Sequence, residues 1–174
     1  MSFSELTKLV TNSAKKIQSD VNSVSKPPSD IIAPVDQPVL PHSLFKSTRG
    51  YIEKVVFQIN RCYEHTAYDA CAVMIRRLIE VLIIESFENH TISSLIKNSN
   101  GDYLYLSDLI DKTLVQTQWN LGRNTKSALR RLKSIGDQSA HSRRYNARRE
   151  YIDDIILDLR CTSEELLYIA GLHK

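Results

Sequence analysis

Asp137 and His141 stand four residues apart, so a helix through them stacks both side chains on one face. A carboxylate beside an imidazole raises the pKa of the ring and fixes its tautomer, the arrangement that acid/base proton transfer uses. A histidine at the end of a helix, bonding the last free carbonyls, accounts for the same residues without chemistry. Arg143, Arg144, Arg148 and Arg149 follow at once. Like charges crowded into a turn repel, and a bound anion relieves that repulsion. With Arg123, Lys126, Arg130, Arg131 and Lys133 they make nine basic residues against one acid, Asp137, in a chain of formal net charge +3. Such clustering is the electrostatic footprint of a phosphate- or RNA-binding surface. The competing account is a solvated helix face paired with Asp153, Asp154 and Asp158.

A second group is Arg76, Arg77 and Glu80. Their three- and four-residue spacing suits ion pairs along a helix. The surrounding stretch is otherwise apolar, so one of the two arginines is expected to be partly buried, with Glu80 as its partner. Tyr68 and Asp69 are expected to cap the start of that helix. Gly136 lies inside a helical pattern, where glycine costs about 1 kcal/mol relative to alanine. Close approach of another helix, or of a second copy of the chain, would offset it.

Other chemistries lack their residues. No glycine-rich phosphate loop and no H-E-x-x-H is present. His42, His65, His90, His141 and His173 are too scattered for a metal site, and no cofactor is expected. Cys62, Cys71 and Cys161 are odd in number and far apart, which fits neither a disulfide framework nor metal ligation. Each sits in an apolar-periodic segment, so buried thiols in a reducing cytoplasm are expected. No apolar run is long enough to cross a membrane, and no apolar signal core opens the chain.

These residues must be held by helices. Leu6, Leu9, Val10, Ala14, Ile17, Val21 and Val24 recur at helical spacing and define an N-terminal amphipathic arm over residues 1–24. Residues 25–43 hold all five prolines and read as a linker, or as a strap across the body, since Ile31, Ile32, Val35, Val39 and Leu40 are apolar. The body, 44–174, begins with a helix carrying Ile52, Val55, Val56, Ile59, Cys62 and Tyr63 on one face. The next helix, about 67–88, is apolar nearly all round and is expected to be central. Ser107 is expected to cap a short helix, Asn124 or Thr125 the basic one, and Asn146 a long last helix ending at Gly171. The pattern predicts an all-α fold, a four- to five-helix up-and-down bundle with an N-terminal arm.

The stretches "AYDACAVMIRRLIEVLI" and "ALRRLKSIGDQSAHSRR" resemble a bacterial domain of unknown function in the HEPN (higher eukaryotes and prokaryotes nucleotide-binding) superfamily. There a helix with an R-R-x-x-E core, here Cys71 to Glu80, precedes a G-N/D-x-x-A-H signature, here Gly136 to His141. The resemblance covers about 44–170. It implies an HEPN-like bundle that dimerises, with the signature facing a cleft, in a family rich in metal-independent RNases of toxin-antitoxin and phage-defence systems. Their histidine would act with the ribose 2′-OH and their arginine on the phosphorane. Here Gly136, Ile135 and Ser134 occupy the positions where that arginine belongs. The resemblance therefore implies a homodimeric, non-catalytic module binding RNA, nucleotide or a partner protein around His141. Two alternatives stand beside it. One is an RNase whose arginine comes from Arg76, Arg77, Arg143 or Arg144, with His141 and Asp137 as its catalytic pair. The other is an interaction subunit that docks through the arm.

Overall fold

The computed structural model describes residues 39–173. The arm, 1–24, and the strap as far as residue 38 lie outside the described residues. The regular structure is helical throughout, with α1 (His42–Phe45), α2 (Gly50–Glu64), α3 (Tyr68–Asn89), α4 (Leu106–Val115), α5 (Arg123–His141), α6 (Arg149–Asp153) and α7 (Ile156–Ile169), plus a single 3-10 turn at Ser93–Ile96. Among the described residues no helix is long and apolar enough to cross a membrane.

Helix α3 is the centre. Its sequence is apolar nearly all round, and Ile75, Leu78, Ile79, Leu82, Ile83 and Phe87 are all fully buried. Each such side chain contributes about 1.5–3 kcal/mol when taken out of water. Helices α2, α4, α5 and α7 all pack on α3 and supply the surfaces that bury it. A carboxylate, Glu85, is buried with them at 5% exposure. It is satisfied from the start of α2, by Arg49 Nε at 2.7 Å and by the Tyr51 hydroxyl.

Residues 39 and 40, at the end of the proline-rich stretch, pack with the body. Val39 and Leu40 are fully buried. The Asn60 side chain accepts the Leu40 N–H at 3.0 Å and donates to the Leu40 carbonyl at 2.8 Å, closing that segment onto α2. Arg160 Nε donates to the Val39 carbonyl at 2.9 Å.

Three helix starts differ from the sequence expectation. Helix α4 begins at Leu106, after Tyr105 rather than Ser107. Helix α5 begins at Arg123, after Gly122, and Thr125 is buried in its first turn. Helix α6 begins at Arg149, after Arg148 rather than Asn146. Just ahead of the last two starts, carboxylates from other helices hold the backbone instead of a local cap. Glu165 Oε1 accepts the Gly122 N–H at 2.6 Å, and Asp69 Oδ1 accepts the Ala147 N–H at 2.9 Å. Tyr68 and Asp69 are themselves the first residues of α3, which starts after Ala67 without a side-chain cap.

The long last helix is also broken, at Asp154 and Ile155. There the Asp154 carbonyl accepts a bond from Arg131 Nη2 at 2.7 Å, and the Ile155 N–H turns back to the Ile152 carbonyl at 3.1 Å in a tighter, 3-10 closure. Helices α2 and α7 end alike. The Ala67 N–H reaches the Cys62 carbonyl at 2.8 Å, and the Leu172 N–H reaches the Leu167 carbonyl at 2.9 Å. The residue before each donor is left-handed, Thr66 at φ 59° and Gly171 at φ 66°. Only the second is a glycine.

Candidate functional site

The two sequence signatures meet at a helix crossing. Helix α5 carries the Gly136 signature and lies against the α3 segment that carries Arg76. Gly136 is buried, and a Cβ placed on it would fall 2.5 Å from Arg76 Cβ and 2.9 Å from the Ala72 carbonyl oxygen. Glycine is thus required by contact with α3 of the same chain. The Arg76 stem crosses over Gly136, and its guanidinium reaches the next residue of α5, with Nε donating to Asp137 Oδ1 at 2.6 Å. Arg76 Nη1 also lies 3.6 Å from Glu80 Oε2. Asp137 accepts a second bond from Lys133, one turn back. Burial alone would push the Asp137 carboxyl up. The bonds from Lys133 and Arg76 outweigh it and hold the group below the usual carboxylate range.

This joint gathers Arg76, Glu80, Gly136 and Asp137. It does not include His141, the last residue of α5, which is exposed. Among the described residues the His141 side chain makes no hydrogen bond or ion pair, and the Asp137 bonds go to Arg76 and Lys133. The carboxylate four residues away is spent on two cations rather than on the ring. Arg77 is exposed and also has no ion-pair partner among the described residues.

A cleft of about 390 Å³ opens beside the joint, between α4 and α5, with Asp111, Arg130, Lys133 and Asp137 on its walls. Its charges are already matched, since Arg130 Nη2 bonds Asp111 at 2.9 Å and Asp137 carries Lys133 and Arg76. A phosphate entering it would have to displace carboxylates.

The basic cluster divides. Arg130, Arg131, Lys133 and Arg149 pair with Asp111, Asp158, Asp137 and Asp153 respectively, so part of it is a solvated, compensated helix face. Arg149 also donates to the Tyr63 hydroxyl at 3.1 Å and lies over that ring. Arg123, Lys126, Arg143, Arg144 and Arg148 are exposed and carry no ion pair among the described residues. The first two sit at the opposite end of α5 from the other three, roughly 27 Å away at 1.5 Å per residue. The uncompensated charge next to His141 is therefore Arg143, Arg144 and Arg148, all in the connection between α5 and α6. That connection is tied at one end to α3 through Asp69 and Ala147.

Sequence reasoning passed over two tyrosines. Tyr145, in the same connection, stacks on Tyr151 of α6, with centroids 6.0 Å apart and planes at 22°. The available signal was two aromatics six residues apart inside an arginine-rich stretch. The cysteines were read too uniformly. Cys71 is buried and pushed up to about 12 by burial, but Cys62 is half-buried and Cys161 is exposed on α7. Among the described residues no three His, Cys, Asp or Glu side chains gather as metal ligands.

No family model, no curated protein and no solved structure matches this chain.

Proposed function

We propose that the chain is an HEPN-like, homodimeric module that binds RNA or another nucleotide-derived polyanion without cutting it, through the connection between α5 and α6. The observation that carries this reading is the pairing pattern. Arg130, Arg131 and Arg149 are each paired with an acid, and Arg143, Arg144 and Arg148 are left exposed without one. The resemblance supports the up-and-down bundle and the dimer. Leu157, Cys161 and Tyr168 share one outward stripe of α7, interrupted by exposed Glu164, and offer apolar contacts to a second copy, Leu157 and Tyr168 being 72% and 77% exposed.

The metal-independent RNase reading has one observation in its favour, the arrival of Arg76 at Asp137 from another helix. That guanidinium is held between Asp137 and Glu80, so its charge is already shared. A phosphorane would compete with two carboxylates for it.

The test combines binding and cleavage. Labelled single-stranded RNA is titrated at several salt concentrations, and total RNA is incubated without metal beside a His141→Ala variant. Three phosphate contacts predict log K falling with log[salt] at a slope of about −2, with RNA intact in both incubations. Absent or salt-independent binding would overturn the polyanion reading. Cleavage by the wild type alone would make the protein an RNase that uses His141.

A further inference from the structure

On the side of α5 facing α6 lies a second cleft, of about 430 Å³, whose walls include Ile135, Gln138, Tyr145, Tyr151 and Asp154. Its size falls in the usual range for small-molecule sites, about 300–1,000 Å³. We propose that this cleft holds a nucleobase on the Tyr145–Tyr151 platform, with the attached phosphate on Arg143, Arg144 and Arg148. The proposal rests on the polyanion reading above and adds what that reading lacks, a site that recognises a base.

The chemistry of the walls is divided in the way a nucleotide requires. Tyr145 and Tyr151 form one stacked pair, and Tyr151 is 40% exposed, so aromatic surface is available to a ligand. At 6.0 Å between centroids the rings leave no room for a base between them, so a base lies against the pair. Ile135 adds apolar surface. Stacking of this kind is sequence-tolerant, because every base has a π-face. Burial pushes the Tyr145 phenol up, so at neutral pH it stays an uncharged ring with a hydroxyl donor.

The polar groups set the orientation. The Asp154 carboxylate makes no hydrogen bond among the described residues, and it repels phosphate. The Arg131 guanidinium on the same wall is spent on Asp158, at 3.0 Å, and on the Asp154 carbonyl. Phosphate is therefore directed to the other charged group, the arginines flanking Tyr145 in the chain. Asp154 is left to accept from an exocyclic amino group, and the Gln138 amide can both donate and accept at a base edge. The site thus favours amino-bearing bases, adenine, cytosine or guanine, over uracil. Such a nucleotide could be free or part of a single strand.

Fluorescence anisotropy with fluorescein-labelled oligo(A) and oligo(U) tests this, with inorganic polyphosphate and AMP as competitors. Oligo(A) should bind more tightly than oligo(U), and more tightly than polyphosphate of equal charge. Tyr145→Ala should weaken oligo(A) binding about 5- to 150-fold, with the salt slope unchanged, and Tyr145→Phe should keep it. Ser134→Trp, which puts a bulky ring on the cleft wall and removes the bond from Gln138 without touching the loop, should weaken binding as Tyr145→Ala does. Displacement of oligo(A) by millimolar AMP supports a free nucleotide as ligand. Sensitivity to both variants without AMP displacement supports a strand. If both variants are folded by circular dichroism and bind oligo(A) like the wild type, the base site is refuted. The polyanion reading survives that result if Arg143→Ala with Arg144→Ala still lowers affinity. Absence of any RNA binding by the wild type removes both.

Discussion

Replacing Gly136 by alanine should destabilise the protein, although alanine is the better helix former by about 1 kcal/mol. The added Cβ would lie 2.5 Å from Arg76 Cβ and 2.9 Å from the Ala72 carbonyl oxygen. Carbon atoms in ordinary contact stand about 3.5–4.0 Å apart, so α3 and α5 must separate by about 1 Å where they cross. Neither neighbour is a flexible tip. One is the root of a side chain and the other is backbone, so the strain passes to the helix axes. Overpacking of this kind costs about 1–3 kcal/mol. The separation also stretches the Arg76–Asp137 bond, whose partners are each more than a quarter exposed and whose loss adds about 1 kcal/mol or less. Against the gain in helix propensity, the net loss is about 0–3 kcal/mol, centred near 1.5. At about 2–4 °C per kcal/mol for a chain this long, Tm should fall by up to about 12 °C. Urea and thermal unfolding followed by circular dichroism measure it. Ser134→Ala is the control, two residues away on the exposed face, and should stabilise by about 0.5 kcal/mol. If Gly136→Ala stabilises as the control does, the crossing is not close and the account of the glycine is wrong.

Two further outcomes follow from local features. Asp137→Asn should cost about 1 kcal/mol at pH 7, since this partly exposed carboxylate is held below its usual range by two cations. A lowered folded pKa gives stability that is present above the unfolded value, about 3.9, and lost as pH falls through the folded one. The wild-type advantage in urea unfolding should therefore shrink below pH 4, and an advantage constant down to pH 2 would contradict the assignment. Thr66→Gly should raise stability by about 0.5–1 kcal/mol, because exposed Thr66 ends α2 at φ 59°, where a β-carbon is strained. An unchanged or lower Tm would show that the strain is relieved elsewhere.

Periodicity made the helices readable, and α3 most of all, because a segment apolar nearly all round has only the centre to occupy. The Arg76–Glu80 pair was readable for the same reason, being local. The joint that explains Gly136 was half readable. A glycine in a helix announces a close approach, but the approaching residue is 60 positions away in sequence and nothing in the spacing selects it. The starts of α5 and α6 were misplaced because neither has a side-chain cap, and the chain ahead of each is held by Glu165 and Asp69 from other helices, contacts that a scan for local caps cannot see. The break after α6 has the same origin, with Arg131 on α5 holding the Asp154 carbonyl. At the candidate site the arginines were visible as a run. Their division into compensated and uncompensated sets was not, since it depends on which acids fold into reach.

Glu85 bears on the uniqueness of the native pairing. An apolar helix such as α3 offers its neighbours many nearly equivalent seats. Sliding α2 along it by one turn would exchange one set of aliphatic contacts for another at little cost. The buried carboxylate removes that degeneracy. In the native register Arg49 and Tyr51 both reach it, and a shift of one turn, about 5.4 Å, carries both out of hydrogen-bond range. A buried charge deprived of its partners costs about 3–5 kcal/mol, a large share of the stability of an ordinary domain. Glu85 therefore adds little to the depth of the native minimum and much to its separation from the next one. It selects one alignment of the first two long helices among several that the oily seam alone would accept.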